Sequence, residues 1–137
     1  MKSLLRSIGA PLAGYVAILI GAIVFQDLLF GGVTHHSPLV DLLVGGGMTT
    51  VAAVFGGYIL AAIAPARPFL HATPLLIWLC TETTLLHLEN QSPLWFDIFA
   101  GGSVIVGILL GMFVWTKRQA AARNKPKTST FGSESIP

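Results

Sequence analysis

Charge is the component that this sequence has least of. Only 10% of its 137 residues are charged, while 53% are hydrophobic and the mean hydropathy is +0.75. A soluble domain of this length carries about 25% charged residues, because its surface faces water. The deficit argues against an ordinary soluble enzyme or binding module and predicts an integral membrane protein with a single domain.

Cysteine is almost absent as well. Cys80 stands alone, so the chain has no internal disulfide and no paired-cysteine redox or zinc motif. The sequence contains no CxxCH motif, and His71 and His87 lie at opposite ends of one apolar segment, too far apart to hold one haem. A nucleotide-binding loop and a nucleophile beside a base are also missing. We therefore expect no catalytic residue, no metal site and no cofactor.

Basic residues are few and unevenly placed. Five of the eight follow the last apolar segment: Lys117, Arg118, Arg123, Lys125 and Lys127. A basic cluster beside a membrane span favours anionic lipid headgroups, so it predicts the lipid bilayer as partner and no nucleic acid. We expect residues 117–137 to form a disordered basic cytoplasmic tail, with one extra helical turn through Ala122.

Four long apolar segments account for most of the chain: residues 8–30, 39–64, 69–88 and 94–116. About 20 apolar residues cross a hydrocarbon core as a helix. The intervening stretches "GGVTHHSP", "APARP" and "ENQSP" contain the glycines and prolines that end helices. Because such short connections make neighbouring helices antiparallel, the sequence predicts an all-α membrane protein with an up-down-up-down four-helix bundle.

The orientation follows from lysine and arginine. Their counts in the successive segments outside the predicted spans are 2, 0, 1, 0 and 5. Short cytoplasmic segments carry the excess of these residues in membrane proteins. We therefore expect both termini in the cytoplasm.

Small residues recur at helical spacing in three of the four segments. The helix-packing positions that we single out are Gly14, Gly21, Gly57, Gly107 and Gly111. In lipid, helices associate through close backbone contact at such residues. The stripes either pack the four helices of one chain or join copies into a homo-oligomer, and the sequence leaves both alternatives open.

The third segment carries ionisable residues where a lipid-facing helix has none. Glu82 lies about 10 Å inside the membrane boundary at 1.5 Å per residue, a depth at which an isolated carboxylate is costly. It is either an ion or proton site, a structural hydrogen-bond partner, or part of a water-filled vestibule. His87 and Asp27 are the further intramembrane candidates. Since polar residues occupy two opposite faces of this helix, we expect protein around it, in the centre of the bundle or at a subunit contact.

Three stretches resemble pieces of a family of small, uncharacterised bacterial membrane proteins with four spans. They are "LRSIGAPLAGYV" (5–16), "GGYILAAIAPARPFLHA" (56–72) and "SPLWFDI" (92–98). The resemblance covers residues 4–116 and implies a four-span architecture in a bacterial inner membrane. No function is established for that family, so the resemblance implies no site residue.

Two functions fit these observations. The first is a non-enzymatic membrane protein, structural or regulatory, that acts by packing against itself or against a larger membrane-protein partner. The alternative is a small proton- or cation-coupled transporter or channel in which Glu82 is the switchable carboxylate. Neither the substrate nor the partner follows from the sequence.

Overall fold

The computed structural model describes residues 2–64 and 67–124, and every regular element in them is helical. Helix α1 spans Lys2–Ala22 and continues as a π-helical segment, Ile23–Leu28. Helix α2 spans Leu39–Ile63, α3 spans Pro68–Asn90 and α4 spans Leu94–Arg123. All four helices are long and apolar enough to cross a membrane, which confirms the predicted all-α class with four candidate spans.

Prolines mark the helix boundaries that the sequence predicts best. Helices α2 and α4 begin directly after Pro38 and Pro93, because a proline disfavours helical backbone in the residue before it. Pro68 is the first residue of α3, where its missing N–H costs no hydrogen bond. Helix α4 continues past the predicted span to Arg123, one residue beyond the predicted extra turn. The remainder of the predicted tail, 125–137, lies outside the described residues.

Helix α2 is the central element and packs closely against both α1 and α4. Its buried residues are Gly45, Thr49, Ala52, Ala53, Gly56, Gly57, Leu60 and Ala61. Most of them are glycine or alanine, so the neighbouring backbones approach closely. The largest fully buried side chains are Leu60 of α2 and Ile108 and Met112 of α4, which place the apolar core between these two helices.

The five glycines singled out from the sequence lie at helix contacts within the single chain. Gly14 and Gly21 face α2, Gly57 faces α4, and Gly107 and Gly111 face α2. A Cβ atom added at any of these positions would crowd the facing helix. Packing inside one chain therefore accounts for these five positions without a second copy.

Helix α3 is the least buried of the four: 11% of its most apolar stretch is buried, against 28% for α2. Of the two alternatives predicted for α3, the centre of the bundle is therefore wrong, and a subunit contact stays a prediction. Its outer polar face needs no protein cover, because Thr73, Thr81 and Thr84 donate to backbone carbonyls four residues earlier, at 3.4, 2.9 and 2.8 Å. Such bonds satisfy a hydroxyl within its own helix.

Candidate functional site

The inner polar face of α3 packs against α1 and carries Glu82. The Tyr15 hydroxyl donates to both carboxylate oxygens of Glu82, at 3.3 Å from Oε1 and 3.4 Å from Oε2. The Tyr15 ring lies edge-on to Trp78, with ring centroids 6.4 Å apart. Further along the same face, His71 Nε2 lies 3.1 Å from Ser7 Oγ. Glu82 is thus half-buried between two helices, on the side facing the bundle.

Glu82 lines a cavity of about 240 Å³, which we call the Glu82 cavity, and all four helices contribute to its wall. Its other polar lining residues are Tyr15, Gln26, Thr49, Thr83 and Ser103. A water molecule needs roughly 10–15 Å³ and two to four polar partners. The cavity therefore has the volume and the hydrogen-bonding groups to hold several water molecules beside a carboxylate.

Gln26 belongs to the π-helical segment of the first span. Its Nε2 atom donates to Thr49 Oγ1 at 2.8 Å, and Thr49 Oγ1 in turn donates to the Gly45 carbonyl at 2.9 Å. A π-helical turn holds more residues than an α-helical one and is frequent at functional sites. Here it coincides with the point where an amide from the first span meets the polar wall of the cavity.

A second cavity adjoins the Glu82 cavity at the end of the bundle formed by loops 31–38 and 91–93, which we call the loop end. It has a volume of about 230 Å³ and shares the lining residues Thr83, Leu86 and Ala100 with the Glu82 cavity. His35 and Asp97 line its outer part. The two cavities are neighbours, and the second lies between Glu82 and the loop end.

The apolar core lies on the other side of Glu82. Its buried residues are Ala10, Ile18, Ala53, Leu60, Ala61, Ala72, Leu75, Ile108 and Met112. They separate the Glu82 cavity from the end of the bundle that carries Arg67 and the C-terminal part of α4, which we call the terminal end. Glu82 therefore has cavities with polar lining residues on its loop-end side and apolar side chains on its terminal-end side.

His87 lies at the loop end and bonds to Asp97. The distance from His87 Nδ1 to Asp97 Oδ2 is 2.6 Å. The buried Ser92 hydroxyl donates to Asp97 at 2.8 Å from Oδ1 and 2.7 Å from Oδ2. These bonds join the end of α3, the following loop and the first turn of α4, so His87 has a structural partner near the cavity entrance.

Asp27, the remaining ionisable candidate, is exposed and does not line the Glu82 cavity. Its neighbour Gln26 lines the cavity instead. Within residues 2–64 and 67–124, no three His, Cys, Asp or Glu side chains lie close enough together to hold a metal ion. The chemistry of the site therefore rests on one carboxylate and several neutral polar groups.

Sequence reasoning missed the neutral groups of the cavity wall. Gln26, Thr49, Thr83 and Ser103 are uncharged residues inside apolar segments, where hydroxyls often bond only to their own helix. Gln26 carried the clearest indication, since a long, polar amide within an apolar span needs a partner. The facing helix supplies that partner.

The cations of the basic cluster lie at the terminal end and differ in their contacts. Lys117 Nζ lies 5.3 Å from the centroid of the Phe113 ring. Arg118 Nη1 donates to the Tyr58 hydroxyl at 3.0 Å. Arg123 lines a cavity between helix ends. The other two predicted headgroup contacts lie outside the described residues: Lys125 and Lys127.

Comparison with known proteins was made for the whole chain. No family model, curated protein or solved structure matches it. The function of the Glu82 cavity is therefore argued from its own chemistry. Its elements are one carboxylate, several neutral polar groups and a second cavity toward the loop end.

Proposed function

We propose that this protein is a small proton- or cation-coupled transporter or channel in which Glu82 takes up and releases the ion. One observation carries the proposal: Glu82, on a helix long and apolar enough to cross a membrane, lines a cavity that holds several polar groups, a second cavity lies toward the loop end, and apolar core lies on the other side. Carriers that work by alternating access hold their ion near the middle of the membrane, open to one side at a time. Cavities on one side of Glu82 and apolar core on the other side are what such a carrier requires in the state that is open to the loop end.

The hydrogen bonds of the two acids support different roles for them. Strong O–H···O⁻ bonds are about 2.5–2.7 Å long, whereas the Tyr15 hydroxyl is 3.3 and 3.4 Å from the Glu82 oxygens. Asp97 has contacts of 2.6–2.8 Å and serves as a structural acid. The loose contact at Glu82 leaves carboxylate lone pairs available to a proton or cation that enters the cavity.

Binding of a proton or cation to Glu82 also provides a physical reason for helix α3 to move. An ionised carboxylate is costly away from water, and binding of a proton removes that cost. Helix α3 carries this carboxylate and is the least buried of the four helices. A shift of α3 against α1 after ion binding is therefore the step that we assign to opening toward the terminal end.

The test is ion flux in liposomes that contain the purified chain and a pH-sensitive dye. The wild type should dissipate an imposed proton or sodium gradient faster than empty liposomes. Glu82→Gln should lower this flux by about tenfold or more, because the amide no longer exchanges a proton. Glu89→Gln, at an exposed acid of the same helix, is the matched control and should keep the flux.

Two outcomes would contradict the transport proposal. One is wild-type flux equal to that of empty liposomes for protons, sodium and potassium. The other is full flux in Glu82→Gln. A melting curve in detergent for each variant separates loss of transport from loss of folding.

The outer face of α3 favours a second candidate, a packing subunit that binds a copy of itself or a larger membrane protein. Ile77 and Leu70 are 63% and 62% exposed there, and Cys80 is exposed on the same helix. Oxidative crosslinking of the single cysteine in membranes tests for a second copy, with Cys80→Ser as control. A crosslinked dimer supports self-association through α3. Monomer alone, with no larger protein co-purifying in mild detergent, would count against this candidate.

We further propose an up-down-up-down bundle with both termini in the cytoplasm of a bacterial inner membrane. The alternating lysine and arginine counts support the orientation. The contacts between α1 and α3 support the topology, since Ser7 meets His71 and Tyr15 meets Glu82. The contact further along α1 is also the contact further along α3, which is the pattern of two parallel helices. The first and third helices of an up-down-up-down bundle are parallel. The proposed location in a bacterial inner membrane is based on the resemblance of residues 4–116 to the family of small bacterial four-span membrane proteins.

A further inference from the structure

A large cavity at the terminal end contains two arginines. Its volume is about 560 Å³, and it lies between the last turns of α2 and α4 and the start of α3. Arg67 and Arg123 line it together with Thr116, Gln119 and Asn124. None of the described residues in its wall is acidic. The cavity therefore presents an excess of positive charge and neutral hydrogen-bond donors to anything that enters it.

The two arginines differ from their basic neighbours on α4. Lys117 lies against the Phe113 ring, and Arg118 donates to the Tyr58 hydroxyl, so both contact aromatic side chains of this chain. Arg67 and Arg123 come from different helix ends and line one common space. Two guanidinium groups that share a cavity repel each other unless an anion lies between them.

The backbone of Arg67 adds a separate indication. Its φ of 49° and ψ of 64° are left-handed, a conformation that glycine adopts far more readily than arginine. The Arg67 carbonyl accepts hydrogen bonds from the Leu70 N–H at 3.0 Å and from His71 Nδ1 at 3.2 Å, which hold this conformation. Because a non-glycine residue in this conformation stores backbone strain, and such strain clusters at functional sites, the backbone of Arg67 points to a use for its side chain.

We propose that this cavity binds a phosphate group, carried either by an anionic phospholipid headgroup or by a soluble phosphate compound. Guanidinium groups bind phosphate oxygens in a bidentate manner, and Gln119 and Asn124 supply further donors. Trp115 lines the same cavity, and tryptophan is enriched at the level of the headgroups. Basic pockets between membrane helices are known to hold anionic headgroups. This site is independent of transport through Glu82.

The experiment measures binding of short-chain phosphatidylglycerol to the purified full chain in neutral detergent by calorimetry, with short-chain phosphatidylcholine for comparison. The wild type should prefer the anionic lipid by about tenfold or more. Arg67→Gly and Arg123→Gln should each weaken its binding by about tenfold. Arg67→Gly removes the guanidinium and also relieves the left-handed backbone, so the variant should remain folded.

Gln91→Gly is the matched control, because Gln91 is the other described non-glycine residue with positive φ, at 48°. It relieves the backbone at the far end of α3 and should bind phosphatidylglycerol as the wild type does. A competition with sodium phosphate, against sodium chloride at equal ionic strength, identifies the source. Displacement by phosphate assigns the site to soluble phosphate compounds, and retention of the lipid assigns it to headgroups.

Two results would overturn the phosphate site. The first is a wild type that binds neither inorganic phosphate nor phosphatidylglycerol more tightly than phosphatidylcholine. The second is unchanged binding in both Arg67→Gly and Arg123→Gln. Salt dependence gives an additional check, since binding through two exposed arginines weakens as ionic strength rises.

Discussion

At the scale of single residues, two acids that look alike in the sequence have different surroundings. Glu82 and Asp97 both lie in apolar segments and both have polar neighbours. Asp97 is held by short bonds from His87 and Ser92, whereas Glu82 has one long contact and a cavity. The proposed ion exchange therefore falls to Glu82, the acid with fewer firm partners.

Asp97→Asn should lower the free energy of unfolding by more than the loss of a helix-dipole interaction, since hydrogen bonds to a charged group are stronger than hydrogen bonds between neutral groups. It weakens the bonds from His87 and Ser92 that join α3 to α4. Asp41→Asn is the control: Asp41 is also in the first turn of its helix and should lose only about 0.3–1 kcal/mol of helix-dipole interaction. Equal melting temperatures for the two variants in detergent would contradict a structural role of Asp97.

At the scale of helices, the sequence predicts the spans well and their arrangement poorly. Pro38 and Pro93 fix where α2 and α4 begin, and these boundaries could be predicted from the sequence. The central position of α2 could not be predicted, because small residues recur in three segments. Only the facing side chains decide which helix the others enclose. The two-faced polarity of α3 misled the prediction, since bonds such as Thr84 to the Cys80 carbonyl satisfy one face locally.

The π-helical segment is the feature of the site that could not be predicted from the sequence. No residue type marks such a segment, and its energy depends on the surrounding helices. The ionisable Asp27 drew attention in the sequence, but the neighbouring Gln26 is the residue that lines the cavity. Charge alone is therefore an incomplete guide to the polar wall of an intramembrane cavity.

Filling the space between the helices tests the cavity directly. Gly46 lines the Glu82 cavity, and a Cβ atom there would meet nothing within 4 Å. Gly46→Leu should therefore fold normally and lower ion flux several-fold by occupying the cavity. Gly47→Leu, at the exposed next residue where a Cβ also meets nothing within 4 Å, should keep the flux. Equal flux in the two variants would show that ions do not use this cavity.

At the scale of the whole molecule, charges separate between the two ends of the bundle. Arg67 and the basic residues of α4 lie at the terminal end, whereas His35, His87 and Asp97 lie at the loop end. Such asymmetry is the pattern that orients membrane proteins, with lysine and arginine retained in the cytoplasm.

A reporter fusion tests this orientation. Green fluorescent protein fused after Pro137 should fluoresce and alkaline phosphatase at the same site should be inactive, because the C-terminus is expected in the cytoplasm. Phosphatase inserted between His35 and His36 should be active. An active phosphatase at the C-terminus would reverse the proposed topology.

In the proposed carrier, the depth of Glu82 along its helix makes proton binding sensitive to membrane voltage. A proton that reaches Glu82 from Asn90 travels about 12 Å along the helix at 1.5 Å per residue, out of a hydrocarbon core of about 30 Å. A charge that crosses the whole membrane gains about 2.3 kcal/mol per 100 mV, so this partial path is worth about 0.9 kcal/mol, or about fivefold in occupancy. In the proposed orientation, with the loop end outside a cell whose interior is negative, an energised membrane raises the proton occupancy of Glu82 by about this factor.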